Sequence, residues 1–310
     1  MDRLLGEYKN GNYTVRIYKD GTKIRFNDLD TLEPDTVESF DLKVTNKCNQ
    51  GCAMCHENST PEGKHGDILN LKFLETLHPY AEIAIGGGNP LEHPDLAPFL
   101  GYCKERKFIP SMTVNQVHFE ENLDFITELV NRELIYGLGI SLVSPTSEFV
   151  EKVKKFPNAV IHIINGIVTK EQLLNLRKHD FKILILGYKE VRRGKDLYSK
   201  SAKIIENRKG MLRTYLPTMI KENWFKVISF DNLSINQLNV KSLMNPKQWE
   251  TFYMGDDGID GSLTSSSMFI DAVEGTFAIN SCSMDRYPLM DTIEDMYNFL
   301  KNKNTENKYD

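Results

Sequence analysis

Polar and apolar residues alternate by twos near the start of the chain. In YTVRIYKDGTKIRF, Val15 and Ile17 alternate with polar neighbours, Asp20-Gly21 marks a turn, and Ile24 and Phe26 resume the alternation. An Asp-Gly pair between two such runs predicts a β-hairpin. Residues 1–38 precede every chemically suggestive residue and are read as an N-terminal hairpin that acts as a flap or edge.

From residue 39 the pattern changes. Short apolar runs at 39–45, 81–87, 109–114, 136–143, 158–164 and 181–187 predict strands. Amphipathic stretches at 68–77, 96–107, 121–132, 146–156 and 170–179 predict the helices between them, with Thr146 and Thr169 at N-cap positions. Strand and helix in strict alternation imply right-handed crossovers and a parallel sheet, open or curved into part of a barrel. After residue 188 the alternation lapses: KEVRRGKDLYSKSAKIIENRKG reads as a basic helical insertion, and 224–231 as a further strand. MFIDA (268–272) and TFAIN (276–280) predict a second hairpin leading into Cys282, and the polar tail KNKNTENKYD is expected to fray. Three regions follow: the hairpin at 1–38, a β/α core at 39–231 and an irregular C-terminal extension at 232–310 covering the mouth of the core.

Composition narrows the class. The 310 residues are 40% hydrophobic and 26% charged, which excludes global disorder and permits a core without disulfides. The formal charge of −5 argues against a protein that coats nucleic acid, leaving room only for a local basic patch. No run approaches a membrane span, and the first residues lack the basic-then-apolar order of a signal peptide, so a cytoplasmic protein is expected.

The chemistry concentrates in TNKCNQGCAMCHENS. Cys48, Cys52 and Cys55 follow the first core strand in a Cys-x3-Cys-x2-Cys spacing, in a loop too polar to be core. Three close thiolates suit one soft metal centre. An iron–sulfur cluster with one iron left open is one reading. A structural zinc, with His56 or His65 as fourth ligand, is the other, although the second ligand pair usual in zinc modules is absent from the sequence.

CNQGCAMC at the end of the first strand of an alternating β/α chain resembles the radical S-adenosylmethionine (radical SAM) superfamily. The resemblance implies a partial (β/α)6, TIM-like barrel and a [4Fe–4S] cluster on Cys48, Cys52 and Cys55. It also implies S-adenosylmethionine chelated to the open iron and reductively cleaved to a 5′-deoxyadenosyl radical that abstracts hydrogen from a substrate. Oxygen would have to be excluded, and flavodoxin or ferredoxin would supply the electron. Gly87, Gly88, Asn89 and Pro90 stand where the family has Gly-Gly-Glu-Pro at the methionine amino group. Asn89 carries no charge, so that contact should be weaker or backed by another residue. Thr113, Asn115 and Ser141 match polar strand-end positions on the ribose or carboxylate side, and Met54 stands where relatives carry an aromatic near the adenine. The substrate is left as a peptide or protein, prompted by the C-terminal hairpin, or a nucleotide or nucleic-acid base, prompted by the basic segment 189–209. A zinc-stabilised binding protein without enzymatic activity is the rival class.

The remaining residues read more simply. His56 and Glu57 are expected to bond locally, His93 to be structural, and Cys103 to be a buried thiol. Cys282 follows a strand–Gly–strand pattern like that opening the auxiliary-cluster extensions of some family members, but it stands as a single cysteine there. It is a packing residue or a hydrogen-atom donor to a product radical. The basic residues Lys189, Arg192, Arg193, Lys195, Lys200 and Lys203 are read as a solvated face, with a phosphate grip as the alternative. Asp256, Asp257 and Asp260 lack the spacing of a calcium loop.

Overall fold

The computed structural model describes residues 2–29, 31–252 and 266–306. Asp256, Asp257, Asp260 and the last four residues of the tail lie outside them. The first sheet is antiparallel: β1 (Leu4–Asn10), β2 (Tyr13–Tyr18) and β3 (Lys23–Phe26). Its β2–β3 pair is the Asp-Gly hairpin, and β1 adds a third strand.

The large sheet holds β4 (Ser39–Thr45), β5 (Glu82–Gly87), β6 (Ile109–Asn115), β7 (Gly137–Ser141), β8 (Ala159–Ile164), β9 (Lys182–Leu186) and β10 (Val227–Phe230) side by side in chain order, all parallel. On the other flank of β4 runs β11 (Ser267–Asp271), also parallel. Beyond it β12 (Thr276–Ala278) and β13 (Tyr287–Pro288) turn antiparallel. The second predicted hairpin therefore exists, but it extends the central sheet.

Helices α1 (Leu96–Glu105), α2 (Gln116–Glu121), α3 (Leu123–Asn131), α4 (Ser147–Val153), α5 (Lys170–Leu176) and α6 (Arg193–Lys221) make the crossovers. Thr146 caps α4, and Thr169 with Gln172 forms a full capping box on α5. The basic segment after residue 188 is thus no insertion: α6 carries the chain from β9 to β10, with a kink at Ser201. The helix expected at 68–77 is reduced to a 3-10 turn at Lys72–Glu75, whose first residue has no side-chain cap. Helices α7 (Asn232–Leu238), α8 (Pro246–Phe252) and α9 (Ile293–Glu306) complete the chain. The tail expected to fray is helical as far as Glu306, anchored by buried Ile293, Met296, Tyr297 and Leu300.

Strands of the large sheet bury alternate residues. Phe40, Leu42 and Val44 of β4, Ile83 and Ile85 of β5 and Met112 and Val114 of β6 enter the apolar core. The opposite face carries Lys43, Ser111, Thr113, Asn115, Gly139, Ser141 and His162, so from β4 to β7 it is polar or small, while Val160 and Ile164 of β8 and Leu184 and Leu186 of β9 make it more apolar towards the far strands.

The N-terminal sheet sits at the end of the molecule away from the cysteines. The Lys19 and Asp20 carbonyls accept from Asn158 and Lys182 at the starts of β8 and β9, and Lys23 pairs with Glu82 at the start of β5. A flap over the cysteine loop, which follows the end of β4, is therefore not what residues 1–38 form; they plug the far end. The plug is electrostatic at its centre. Glu38, fully buried before β4, binds Arg25 (2.7 Å) and Lys23 (3.2 Å) and accepts from Tyr13 Oη (2.6 Å). Burial alone would raise its pKa, but these partners hold it down to about 2.

That depression makes a stability prediction. Relative to an ordinary value of 4.5, the Glu38 carboxylate contributes about 3 kcal/mol at neutral pH, by the linkage of ~1.4 kcal/mol per pKa unit. The contribution is complete above pH 4.5 and fades as pH falls towards 2. Denaturant titrations should show Glu38→Gln destabilised by about 3–5 kcal/mol at pH 7, with the carboxylate's share of the gap to wild type narrowing to about 1 kcal/mol by roughly pH 2.5–3, as that linkage requires. An equal gap at both pH values would contradict the assignment.

Candidate functional site

The cysteine loop leaves β4 at Thr45 and returns at Gly66. Its limbs are tied by Asn46 N to Lys64 O (2.8 Å), Cys48 N to Thr60 O (2.8 Å) and Gly66 N to Val44 O (2.8 Å). Gly51 turns at φ +60°, and Cys55 N donates to Cys52 O (3.2 Å), curling the three cysteines together. All three are partly exposed. Burial raises the Cys48 and Cys52 pKa values, and neighbouring cysteines raise them further, while Arg193 pulls the other way. The three thiols therefore lie within electrostatic reach of one another.

The Gly-Gly-Asn-Pro turn docks directly on this loop. Gly88 N donates to Thr45 O (2.7 Å) and Asn89 N to Lys47 O (2.7 Å). Gly87 has φ +109°, and a Cβ on Gly87 or Gly88 would collide with the Thr45 or Lys47 carbonyl. The glycines are required by the approach of two protein segments, a reason distinct from room for a ligand. Asn89 is buried. Its Oδ1 accepts from Leu91 N (3.3 Å), capping the turn at Pro90–Glu92, and its Nδ2 donates to Glu92 Oε1 (3.0 Å). Glu92, three residues beyond the family's acidic position, was not singled out in the sequence; the hydrogen bond to Asn89 is what marks it.

Asn115 closes β6, caps α2 by accepting from Val117 N (2.9 Å), and directs Nδ2 at Cys52 Sγ (3.8 Å). Behind it, His118 Nε2 meets Asn49 Oδ1 (2.8 Å). Thr113 and Ser141 share the polar face of the sheet, with Ser141 paired in register between Asn115 and His162. Burial depresses the His162 pKa to about 4, so this imidazole is neutral at physiological pH. A histidine in the middle of a core strand was the available signal for it. His93 is structural: its Nε2 meets Gly66 O (2.9 Å) and its Nδ1 accepts from Asp95 N (3.1 Å). Cys103 is buried, its pKa pushed up to about 12 by desolvation.

A second constellation flanks the loop. Buried Lys43 binds Glu57 (3.1 Å) and Asp271 of β11 (3.0 Å), so His56-Glu57 is joined to the C-terminal hairpin as well as bonded locally. Burial opposes ionisation of Glu57, but His56 and then Lys43 hold its pKa down to about 2. Arg192 donates to His56 O (2.6 Å); Arg193 donates to Asn58 Oδ1 (3.0 Å), Cys52 O (3.4 Å) and Ser59 O. Lys189 meets His56 Nε2 (3.3 Å) and Ser281 Oγ (3.0 Å). Lys189 and Arg193 are half-buried and Arg192 is exposed, and all three staple the cysteine loop. Lys195, Lys200 and Lys203 are exposed as expected. Cys282, partly exposed, follows Ser281 at this wall. A small cavity of about 40 Å³ opens at Lys189, lined also by Met54, His56, Ile164, Leu186, Gly187 and Tyr188.

The two metal readings ask different things of these residues. Among the described residues no three His, Cys, Asp or Glu side chains converge tightly enough for a single ion. His65 is turned to Thr45 Oγ1 (2.9 Å) and His56 to Glu57 (3.1 Å). A four-iron cluster asks for less convergence, because each thiolate takes its own iron, and the amide N–H at Cys52 Sγ suits a ligating sulfur.

No protein-family model matches the chain. It is 27% identical over 141 residues to a probable GTP 3′,8-cyclase of Methanocaldococcus jannaschii, covering 42% of this chain and 44% of that protein. A probable GTP 3′,8-cyclase of Methanococcus maripaludis is 30% identical over 92 residues, 27% of this chain and 31% of the relative. The chain thus spans less than half the length of these curated relatives. Among solved structures, Streptococcus suis SuiB bound to S-adenosylmethionine superposes with a TM-score of 0.57 at 12% identity, covering 86% of this chain and 66% of SuiB. SuiB bound to its precursor peptide SuiA gives 0.55 at 13%, with 86% and 65% covered. A Cys-x3-Cys-x2-Cys loop at the end of the first strand of a large parallel sheet, together with these similarities, supports the radical SAM superfamily as the one this chain resembles, with no subfamily singled out.

Proposed function

We propose that this protein is a radical SAM enzyme, with β4 to β9 forming a partial (β/α)6 barrel whose strand ends hold a [4Fe–4S] cluster and S-adenosylmethionine. The observation that carries the reading is the docking of the Gly-Gly-Asn-Pro turn on the three-cysteine loop through two 2.7 Å backbone bonds. Cys48, Cys52 and Cys55 would bind three irons, leaving the fourth for the methionyl amino and carboxylate groups. When bound, the pair supplies one-electron cleavage of the sulfonium and removal of a substrate hydrogen atom.

The protein's own groups have distinct tasks. Arg193 and Arg192 hold the loop carbonyls, so the sulfur ligands are presented without a search. Asn115 orients Cys52 from the side. Asn89 binds no charge itself, but its Nδ2 positions the Glu92 carboxylate, which also faces Lys47 (3.8 Å) and acts electrostatically on Cys48. Glu92 is the residue that restores an anion beside the ammonium site. Thr113 and Ser141 line the ribose side, and Met54 the adenine side. Neutral His162 keeps the face beneath free of added charge. Flavodoxin or ferredoxin would deliver the electron, and the chemistry needs anaerobic conditions. Among relatives, the archaeal proteins are named for GTP and SuiB is bound to a peptide in one structure; both kinds of substrate are open to this enzyme.

Two predictions follow from these assignments. Anaerobic protein should carry about four irons per chain and, with dithionite and S-adenosylmethionine, release 5′-deoxyadenosine. Cys52→Ala should abolish that release; a colourless wild type with stoichiometric zinc would end the proposal. Separately, Glu92→Gln should weaken S-adenosylmethionine binding about fivefold to tenfold in equilibrium dialysis, the difference between a charge-assisted and a neutral hydrogen bond. Asn89→Glu on that background should recover most of the loss. Affinity unchanged within about twofold, the spread expected of a replaced neutral contact, would remove Glu92 from the site.

A further inference from the structure

The wall between the cysteine loop and the C-terminal turn carries more positive charge than it balances. Lys43, Lys189, Arg192 and Arg286 meet there around two carboxylates, Glu57 and Asp271. Lys43 takes both carboxylates as ion-pair partners, at 3.1 and 3.0 Å. Arg192 reaches Glu57 only at 3.8 Å. Arg286 donates Nη2 to Ser281 O (2.7 Å) and lies over the Phe269 ring, while its Nη1 is buried with no acceptor among the described residues. A buried donor without an acceptor is destabilising, and native structures rarely keep one without a reason.

Lys189 is the member of this group that lines the cavity. Its ammonium has no carboxylate within ion-pair distance among the described residues; its partners are Ser281 Oγ and His56 Nε2. The second of these is shared. The same imidazole nitrogen stands 3.1 Å from Glu57 Oε1 and 3.3 Å from Lys189 Nζ. If it carries a hydrogen it serves Glu57 and offers Lys189 no lone pair; if it carries none it serves Lys189 and faces Glu57 lone pair to lone pair. One hydroxyl is then the only undisputed acceptor for three N–H donors. Around this ammonium the cavity is apolar: Met54, Ile164 and Leu186 line it. A partly exposed ammonium beside apolar walls, with one protein hydroxyl as its clear acceptor, suits an oxyanion, which would give it charge-assisted hydrogen bonds.

We propose that this cavity seats an anionic head group of the substrate, a carboxylate or a phosphate, on the Lys189 ammonium, with Arg192 and Arg286 supplying the surrounding positive potential. The cavity is small, about 40 Å³, which fits the oxyanion group itself and leaves the rest of the substrate outside it. Lys189 follows β9 by three residues, and Met54 lies between two of the cysteines, so the seated group is held beside the sulfur ligands. The assignment deepens the enzymatic reading above, yet the binding itself needs no turnover. It also gives Cys282 a neighbour: a substrate held at Lys189 lies next to Ser281, one residue from that thiol.

The test is calorimetric titration of the anaerobic iron-loaded protein, without S-adenosylmethionine, using pyrophosphate in one arm and glutarate in the other. Wild type should bind one equivalent of pyrophosphate or of glutarate, and the arm that saturates names the source of the oxyanion. Lys189→Met should weaken that binding at least tenfold, and Lys189→Arg, which keeps the charge, should retain it within about threefold. Absence of binding in both arms, or Lys189→Met binding like wild type, would overturn the proposal. So would a tenfold loss of S-adenosylmethionine affinity in Lys189→Met, because the cation would then belong to the cofactor's carboxylate. Iron content and 5′-deoxyadenosine release, measured on the same wild-type batch, report separately on the enzymatic reading.

Discussion

The structure depends on the seam where two backbone segments meet without side chains between them. Gly88 and Asn89 donate their N–H groups to the Thr45 and Lys47 carbonyls, and any Cβ on Gly87 or Gly88 would break that approach. The seam fixes the first limb of the cysteine loop to the end of the second core strand. Arg192 and Arg193 fix the same loop from the opposite side, through the carbonyls of Cys52, His56 and Ser59. A loop held from both flanks would lose little conformational freedom on taking up the proposed cluster, which is the physical meaning of a preorganised site.

Charge is divided between the two ends of the sheet. At the strand starts, Glu38 is closed over by Arg25, Lys23 and Tyr13, a satisfied cluster whose work is to attach the N-terminal sheet. At the strand ends, Lys43 is satisfied by the two carboxylates of Glu57 and Asp271, while Lys189 has no carboxylate partner among the described residues and Arg286 keeps one buried N–H group without an acceptor there. The contrast separates stability from function on physical grounds. A buried network in which every donor has an acceptor holds the fold together, and one left with surplus donors awaits a ligand.

The alternating apolar runs made the six core strands and four of their crossover helices legible, and Thr146 and Thr169 sit where caps were read. The cysteine spacing and the glycine turn were legible for the same reason: both are local. What stayed hidden depends on contacts distant in the chain. Asp271 reaches Lys43 across 228 positions, and Ser281 reaches Lys189 across 92, so neither pairing leaves a local pattern. The basic stretch misled because its first residues turn inward to the loop while its later lysines face solvent. The 68–77 segment misled because helical spacing without a cap was not enough to propagate beyond one 3-10 turn. The first forty residues showed their hairpin but not which end of the sheet it would close.

The proposed centre is a cluster with one iron free of protein. The most direct measurement is Mössbauer spectroscopy of the 57Fe-loaded protein before and after S-adenosylmethionine. One iron of the four should change its isomer shift as it gains nitrogen and oxygen ligands, while the other three, bound through Cys48, Cys52 and Cys55, stay as they were. A spectrum unmoved by the cofactor, or one showing all four irons already ligated by the protein, would contradict the account.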